Sequence, residues 1–152
     1  MFNIFGKKKE IFNADEKKRI VEAIHLAEHR TSGEVRVFVE SRCSYMDAID
    51  RAAELFFILK MQNTVDRNAV LVYLAIKDQQ FAVFGDEGIH KKVGDEYWRK
   101  EVQQMITQFN KENYSEGLRQ CVLDIGQALQ THFPYNKDTD KNELPNDIVF
   151  GR

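Results

Sequence analysis

The longest stretch of apolar residues in this chain lies between residues 68 and 89. Residues 69–76 are apolar without alternation, a pattern typical of a strand that is covered on both faces. Residues 81–84 form a second, shorter apolar run, and the polar residues between the two runs supply a turn. The pattern predicts a buried β-hairpin, and Gly85, which has no Cβ atom, allows the chain a sharp exit from the second strand.

A helix and a strand are predicted before this hairpin. Asn13 followed by Glu16 is close to a capping box, and apolar residues then repeat at helical spacing as far as Ala27. This helix is expected to end near Arg30. Residues 35–40 alternate between valine and other side chains, which is the period-two pattern of a strand.

Three further amphipathic helices are predicted, one before the hairpin and two after it. Ser44 can cap the first of them, whose apolar residues fall on one side. The next helix begins near Asp95, and the last contains Tyr114 and ends by Phe133. Their apolar stripes indicate core packing rather than a cofactor site.

The order of the predicted elements favours an α/β fold. If the strand at residues 35–40 and the first strand of the hairpin lie in one sheet with a helix between them, they run parallel, and the last strand returns antiparallel. Helices before, between and after the strands then predict a three-layer α/β/α sandwich around a small mixed β-sheet. We expect a flexible N-terminal segment (residues 1–11), one domain (residues 12–134) and an extended C-terminal tail (residues 135–152) that docks through Leu144, Ile148 and Phe150.

Composition narrows the class of protein. The chain has 152 residues, of which 43% are hydrophobic and 30% charged, as expected for one globular domain. A formal net charge of −2 gives no broad electrostatic basis for binding nucleic acid, so no such partner is predicted. No window approaches the roughly 18 apolar residues of a membrane span, and a cytoplasmic location is predicted. Cys43 and Cys121 are expected to be buried or half-buried thiols.

Two segments near the ends offer weaker signals. Residues 1–9 place aromatic side chains beside three lysines and could touch a membrane, although a frayed terminus is the favoured alternative. Residues 138–142 match the first, third and fifth positions of an EF-hand loop. The match fails because Glu143 stands where the loop needs glycine and Val149 where it needs a bidentate glutamate. No calcium loop is predicted there.

The predicted topology brings several acidic residues to one edge of the sheet. The starts of the two parallel strands and the end of the antiparallel strand share this edge, which therefore holds Glu34, Asp66, Arg67, Asp86 and Glu87, with Asp95 within reach at the next helix. Several carboxylates without cysteine or histidine are the ligand set that Ca²⁺ or Mg²⁺ prefers. The alternative is that these acids are helix caps and solvated loop residues. Arg67 could clamp a phosphate, although a structural ion pair is the commoner role of such an arginine.

The order of the motifs resembles that of the TPM domain family, named from a thylakoid lumen phosphatase, a photosystem II repair protein and a modulator of a levamisole receptor. The motifs are TSGEVRVFVE, DRNAVLVYLA, FAVFGDEGI, DEYW and NYSEGL, and the resemblance covers about residues 12–133. The ending NELPNDIVFG is similar to the tail of a bacterial branch composed of the domain alone. The resemblance implies an α/β/α sandwich, divalent cations held in acidic loops, and phosphatase activity in some plant members.

Carried over residue by residue, the resemblance implies metal ligands at Asp86, Glu87, Asp66, Glu34 and Asp95. We therefore expect a domain that binds Ca²⁺ or Mg²⁺ and acts as a regulatory or interaction module with a protein partner. The alternative is a metal-dependent phosphatase in which Arg67 orients the phosphate and bound water attacks. The chain has no GxSxG, Walker or GxGxxG motif, and His25 and His29 lack the HExxH order of a zinc helix.

Overall fold

The computed structural model describes residues 11–110, 112–135 and 148–151. Within these residues the chain forms five helices and a four-stranded sheet. In chain order the elements are α1 (Ala14–Glu28), β1 (Glu34–Glu40), α2 (Ala48–Ile58), β2 (Ala69–Ala75), β3 (Gln80–Gly85), α3 (Glu87–Val93), α4 (Asp95–Asn110), α5 (Tyr114–His132) and β4 (Ile148–Phe150). The sequence segments discussed at residues 1–9, 138–142 and Leu144 lie outside the described residues.

The strands lie in the order β3-β2-β1-β4. Strands β1 and β2 are parallel, with Glu34 opposite Ala69, and β3 returns antiparallel to β2 with Gly85 opposite Val70. The predicted mixed sheet is therefore confirmed. Strand β4 adds a parallel partner at the other edge of β1, where Ile148 lies opposite Val37.

Helices cover both faces of the sheet, which confirms the three-layer α/β/α sandwich. Alternate residues of each strand point to opposite faces, so valines of β1 and β2 pack against α1, α4 and α5 while Phe38, Leu71 and Tyr73 pack against α2. One layer is thus a single helix and the other contains four. Strand β2 is buried along its whole length, as its unbroken apolar sequence predicts.

Helix starts follow the sequence signals in one case and depart from them in two. The side chain of Asn13 accepts from Glu16 N, and Glu16 reaches back to Asn13 N, which confirms the capping box of α1. Ser44, however, does not cap α2. The backbone at Tyr45 has φ +72°, in the left-handed region, so the right-handed helix begins only after Asp47.

The second departure concerns the acidic stretch after Gly85. It is not a loop, because Asp86 caps a seven-residue helix, α3, that begins at Glu87. Cys43 and Cys121 are both free and buried, as predicted. No helix among the described residues is both long and apolar enough to cross a membrane.

Helices α1 and α5 pack closely against each other at Gly126. A Cβ atom added at this glycine would lie 2.6 Å from the Cβ atom of Ala27, and the backbone of Ala27 is also in the way. The absence of a side chain at Gly126 therefore allows the two helices to pack in contact.

A polar network is buried between β1, β2 and α2, at the carboxyl end of β1. Glu40, of which 5% is exposed, accepts two hydrogen bonds from Arg51, at 2.9 and 3.2 Å, and one from the Tyr73 hydroxyl. Arg51 also pairs with Glu54 at 2.6 Å. Gly151, just after β4, packs against Glu40 and Phe38. The charge of Glu40 is thus compensated inside the fold.

Candidate functional site

The acidic edge of the sheet exists as the predicted topology requires. The amino ends of β1 and β2 meet the carboxyl end of β3, where Asp86 N donates to the Ala69 carbonyl oxygen at 3.0 Å. Glu34 N donates to the Asn68 carbonyl oxygen at 3.5 Å on the other side of β2. We call this edge, formed by residues 32–34, 66–68 and 86–88, the acidic rim.

Arg67 and Asp86 form a two-point ion pair at the centre of the acidic rim. Arg67 Nε and Nη2 donate to Oδ2 and Oδ1 of Asp86 at 2.7 and 2.8 Å, and Arg67 Nη1 lies 3.3 Å from Glu87 Oε1. The hydrogen bond to Asp86 raises the pKa of Arg67. Asp86 is 3% exposed, and its Oδ1 also accepts from Glu87 N at 2.8 Å. Both oxygens of Asp86 are therefore engaged.

Gly88 fixes α3 against the start of β2. Gly88 N donates to the Arg67 carbonyl oxygen at 2.8 Å, and an added Cβ atom would lie 2.6 Å from that oxygen. The backbone of Arg67 has φ +50°, a left-handed conformation that turns its side chain towards Asp86. The GDEGI motif thus needs its second glycine for close backbone contact.

A second polar group lies at the other half of the acidic rim. The Ser32 hydroxyl donates to Asp66 Oδ2 at 3.2 Å, and since it has only one proton, it accepts from Asn68 Nδ2 at 3.0 Å. This fixes the orientation of the Asn68 amide. Asn68 is 1% exposed, and its Oδ1 atom accepts no hydrogen bond from any residue that the structure describes. The buried amide of Asn68 is therefore linked through Ser32 to the exposed carboxylate of Asp66.

Glu34 belongs to a different pair of carboxylates. It is 2% exposed, and its neighbour Glu28 is half-buried and accepts from Val35 N at 2.9 Å. Burial raises the pKa of Glu28 to about 8; the hydrogen bond from Val35 opposes this shift, and the charge of Glu34 adds to it. Burial, with a smaller contribution from the charge of Glu34, thus favours a protonated Glu28 near neutral pH.

Stability should therefore depend on pH through Glu28. Its pKa is about 4.5 when unfolded and about 8 when folded, so its contribution is complete below pH 4.5 and is lost as pH rises to 8. Between pH 4.5 and 8 we therefore expect the free energy of unfolding to fall by about 1–3 kcal/mol less in Glu28→Gln than in the unchanged protein. Urea unfolding at several pH values measures it. An unchanged pH profile in Glu28→Gln would show that Glu28 titrates normally.

A cleft of about 640 Å³ opens between the acidic rim and α2. Its lining includes aromatic side chains and the charged residues Arg67, Glu87 and Asp95. His90 lies between Trp98 and Asp95, because its Nδ1 accepts from Trp98 Nε1 at 3.0 Å while its Nε2 lies 3.6 Å from Asp95 Oδ1. Sequence reasoning missed His90 and Trp98 as site residues. The sequence signal that could have identified His90 is its position directly after the GDEGI motif.

The acidic rim differs between its two halves in its fit to a divalent cation. At Asp86 the guanidinium of Arg67 occupies the position of a cation, so this half does not fit one. At Asp66 a carboxylate and the Ser32 hydroxyl offer the anionic and neutral oxygens that Ca²⁺ or Mg²⁺ takes, and the Asn68 amide, whose nitrogen faces Ser32, has to turn over to add its oxygen. Across residues 11–110, 112–135 and 148–151, no three histidine, cysteine, aspartate or glutamate side chains converge as a metal site. The five predicted ligands are therefore not one cluster.

Solved structures share this fold. The NMR structure of the BA42 protein from the psychrophilic bacterium Bizionia argentinensis is 43% identical, with a TM-score of 0.85, and the match covers 95% of this chain and 99% of that one. The N-terminal domain of the cg2496 protein from Corynebacterium glutamicum has a TM-score of 0.65 at 10% identity, with 89% and 84% of the two chains covered. At that identity the likeness concerns the fold alone.

A third solved structure also shares the fold at low sequence identity. The N-terminal domain of a protein from P. gingivalis has a TM-score of 0.65 at 16% identity, with 83% of each chain covered. No curated protein sequence matches the chain. A family model described as the TPM domain matches residues 7–128, which is most of the sequence. Together with the sandwich fold and the GDEGI motif of the acidic rim, this match shows that the chain belongs to the TPM domain family.

Proposed function

We propose that this TPM domain binds a divalent cation, Ca²⁺ or Mg²⁺, at Ser32, Asp66 and Asn68 and acts as a regulatory or interaction module. The observation that carries the proposal is the Asn68 Oδ1 atom, which is buried and accepts no hydrogen bond within the described part of the chain. A buried amide oxygen without a donor costs free energy that a cation would offset. The cytoplasmic location predicted from the sequence is part of the same proposal.

The charge of the site supports weak binding. One carboxylate, Asp66, and neutral oxygens would hold the ion, and cation affinity falls as the number of charged ligands falls. Asp86 and Glu87 lie nearby but face the guanidinium of Arg67. We therefore expect a dissociation constant in the millimolar range for Ca²⁺.

Exposed apolar side chains on α2 support a protein partner. Ile49 and Phe57 line the cleft beside the acidic rim and are 48% and 50% exposed, and Ile58 is 63% exposed. Ile49 and Phe57, two exposed apolar side chains beside charged groups of the cleft, resemble the composition of interaction surfaces. An ion at Asp66 would alter the charge at one end of the same surface.

Phosphatase activity remains the alternative, and Arg67 bears on it directly. A phosphate clamp needs guanidinium donors that face the substrate, whereas two nitrogen atoms of Arg67 already donate to Asp86. This contact supports a module without turnover. Release of phosphate from a generic aryl phosphate, abolished by Asp86→Asn in clean protein, would establish the alternative.

A titration of metal-stripped protein with CaCl₂ and MgCl₂, followed by amide chemical shifts, tests the cation proposal. Saturating shifts are expected at Ser32, Asp66 and Asn68. Asp66→Asn removes the only carboxylate of the site, so we expect the affinity to fall at least about tenfold. The matched control is Asp50→Asn, an exposed aspartate on α2 that should leave the titration unchanged.

Three results would contradict the proposed site. Shifts that persist with the same affinity in Asp66→Asn would mean that the ion binds elsewhere. Shifts centred on Asp86 and Gly88 would mean that the ion displaces Arg67 instead. An absence of saturating shifts at ion concentrations well above the expected millimolar dissociation constant would remove cation binding and leave an interaction module alone.

A further inference from the structure

Helix α2 carries apolar side chains that face solvent along one side. Ile49 and Phe57 are 48% and 50% exposed, and Ala53, midway between them, is half-buried. Residues spaced by four positions lie on the same side of a helix, so these three form one row, which we call the α2 stripe. Exposed apolar side chains that adjoin one another mark interaction surfaces.

The fold leaves this row without a neighbouring helix. Within the described residues, α2 is the only helix on its face of the sheet. Phe81 and Val83 of the edge strand β3 are only 7% and 4% exposed, so a partner has little access to the backbone of that edge. The surface on offer here is therefore a helix face rather than a strand edge.

Unpaired charges of opposite sign lie at the two ends of the α2 stripe. Asp47 and Asp50 are exposed at its amino end, and Lys60 is exposed just past its carboxyl end. Asp47 is the N-cap residue, yet its side chain makes no capping hydrogen bond. Among the residues that the structure describes, Arg51 and Glu54 form the ion pairs of α2, and none of the three exposed end charges takes part in one.

We propose that a second copy of this chain covers the α2 stripe, with the two α2 helices antiparallel about a two-fold axis near Ala53. Ile49 of each copy then faces Phe57 of the other, and the small side chain of Ala53 lets the helices approach closely. Asp47 and Lys60 lie roughly 10 Å on either side of Ala53 along the helix axis. The antiparallel alignment therefore brings Lys60 of each copy to the acidic end of the other.

The charge pattern favours a second copy because the surface is its own complement. A two-fold contact requires each partner to carry both halves of every pairing, and the α2 stripe has acid at one end and base at a matching distance at the other. Complementary charges also fix the register of the two helices. This proposal rests on the interaction role proposed above and names its partner.

Self-association of the chain, measured in a buffer that contains a chelator, tests the proposal. We expect a dissociation constant of about 0.1–1 mM, because a contact on one helix of 11 residues is small for a stable interface. Translational diffusion should slow, and the amide shifts of Ile49, Ala53 and Phe57 should change, as protein concentration rises through this range. Ala53→Glu places two carboxylates at the axis and should weaken association at least about tenfold.

A charge exchange between two variants tests the antiparallel arrangement. Asp50→Lys and Lys60→Glu should each weaken self-association at least about fivefold, and both positions are exposed, so both variants should fold. An equimolar mixture of the two should associate more strongly than either alone, because Lys60 of the first variant then faces the unchanged aspartates of the second. Glu22→Lys is the matched control, since it alters net charge as Asp50→Lys does, at an exposed position on α1.

The results separate this proposal from the cation site of the acidic rim. Self-association without any cation binding would leave the dimer standing, whereas cation binding by a chain that stays monomeric would remove the dimer alone. The proposal is also overturned if Lys60→Glu associates as the unchanged protein does, if the mixture gives no gain, or if Glu22→Lys weakens association equally.

Discussion

Replacing Arg51 with methionine is expected to lower the free energy of unfolding by about 2–4 kcal/mol. Arg51 is the only arginine that donates to Glu40 within the described residues, and the Glu40 side chain is 7% exposed. Methionine keeps much of the arginine's aliphatic volume, so the loss comes from leaving a buried carboxylate without its cation. The Arg51 side chain is 25% exposed, which lets water offset part of the cost. Urea unfolding measures the change.

A double variant separates charge from packing. If the buried charge causes the loss, Arg51→Met combined with Glu40→Gln should regain at least half of it, because the neutral amide still accepts from Tyr73. The control is Arg19→Met, since Arg19 and Asp15 form an exposed pair at 2.7 Å that is expected to contribute less than about 0.5 kcal/mol. No recovery in the double variant would attribute the loss to packing.

Introducing valine at Gly126 is expected to destabilise the fold by about 3 kcal/mol. The Cβ atom of the new valine would lie 2.6 Å from Ala27 Cβ. Because the other close atoms belong to the backbone of Ala27, no side-chain rotation can relieve the contact. Helices α1 and α5 would have to separate along the interface that contains Ile24, Val122 and Leu129. Thermal or urea unfolding gives the magnitude.

Gln127→Val is the matched control for this substitution. It introduces the same side chain at the next position of α5, where the residue is exposed, and it therefore reports the helix propensity of valine alone. We expect its effect to stay below about 0.5 kcal/mol. Equal losses at positions 126 and 127 would mean that the close approach of α1 and α5 does not limit the side chain at Gly126.

The elements that sequence predicted well are those with a local chemical signal. The capping box at Asn13 specifies its own hydrogen bonds, and the unbroken apolar run of β2 requires cover on both faces. Helix α3 had no such signal. Seven residues with one buried side chain, Ile89, are too few to show helical periodicity, so its acidic start resembled a loop.

The residues of the candidate sites also differ in whether the sequence contains a local signal for them. The topology of the sheet alone brings Asp66, Arg67 and Asp86 to one edge of the sheet. Which partner each side chain contacts depends on distances in the folded structure, and the spacing of residues along the sequence does not specify these distances. Glu101, a buried glutamate on α4, is different, because the apolar stripe of α4 did contain the signal of its burial. Position 101 follows Trp98 by three and precedes Met105 by four, so helical periodicity puts a carboxyl group on the buried face.

The short strand β4 has a consequence for how the molecule is made. It supplies the outer partner of β1 through only three residue pairs, and these residues follow β1 by more than one hundred positions. During synthesis on the ribosome, the edge of β1 around Val37 and Val39 therefore exposes unpaired backbone groups until residues 148–150 emerge. An exposed strand edge pairs readily with other strands, so the nascent chain is open to intermolecular pairing at this edge until its own β4 covers it.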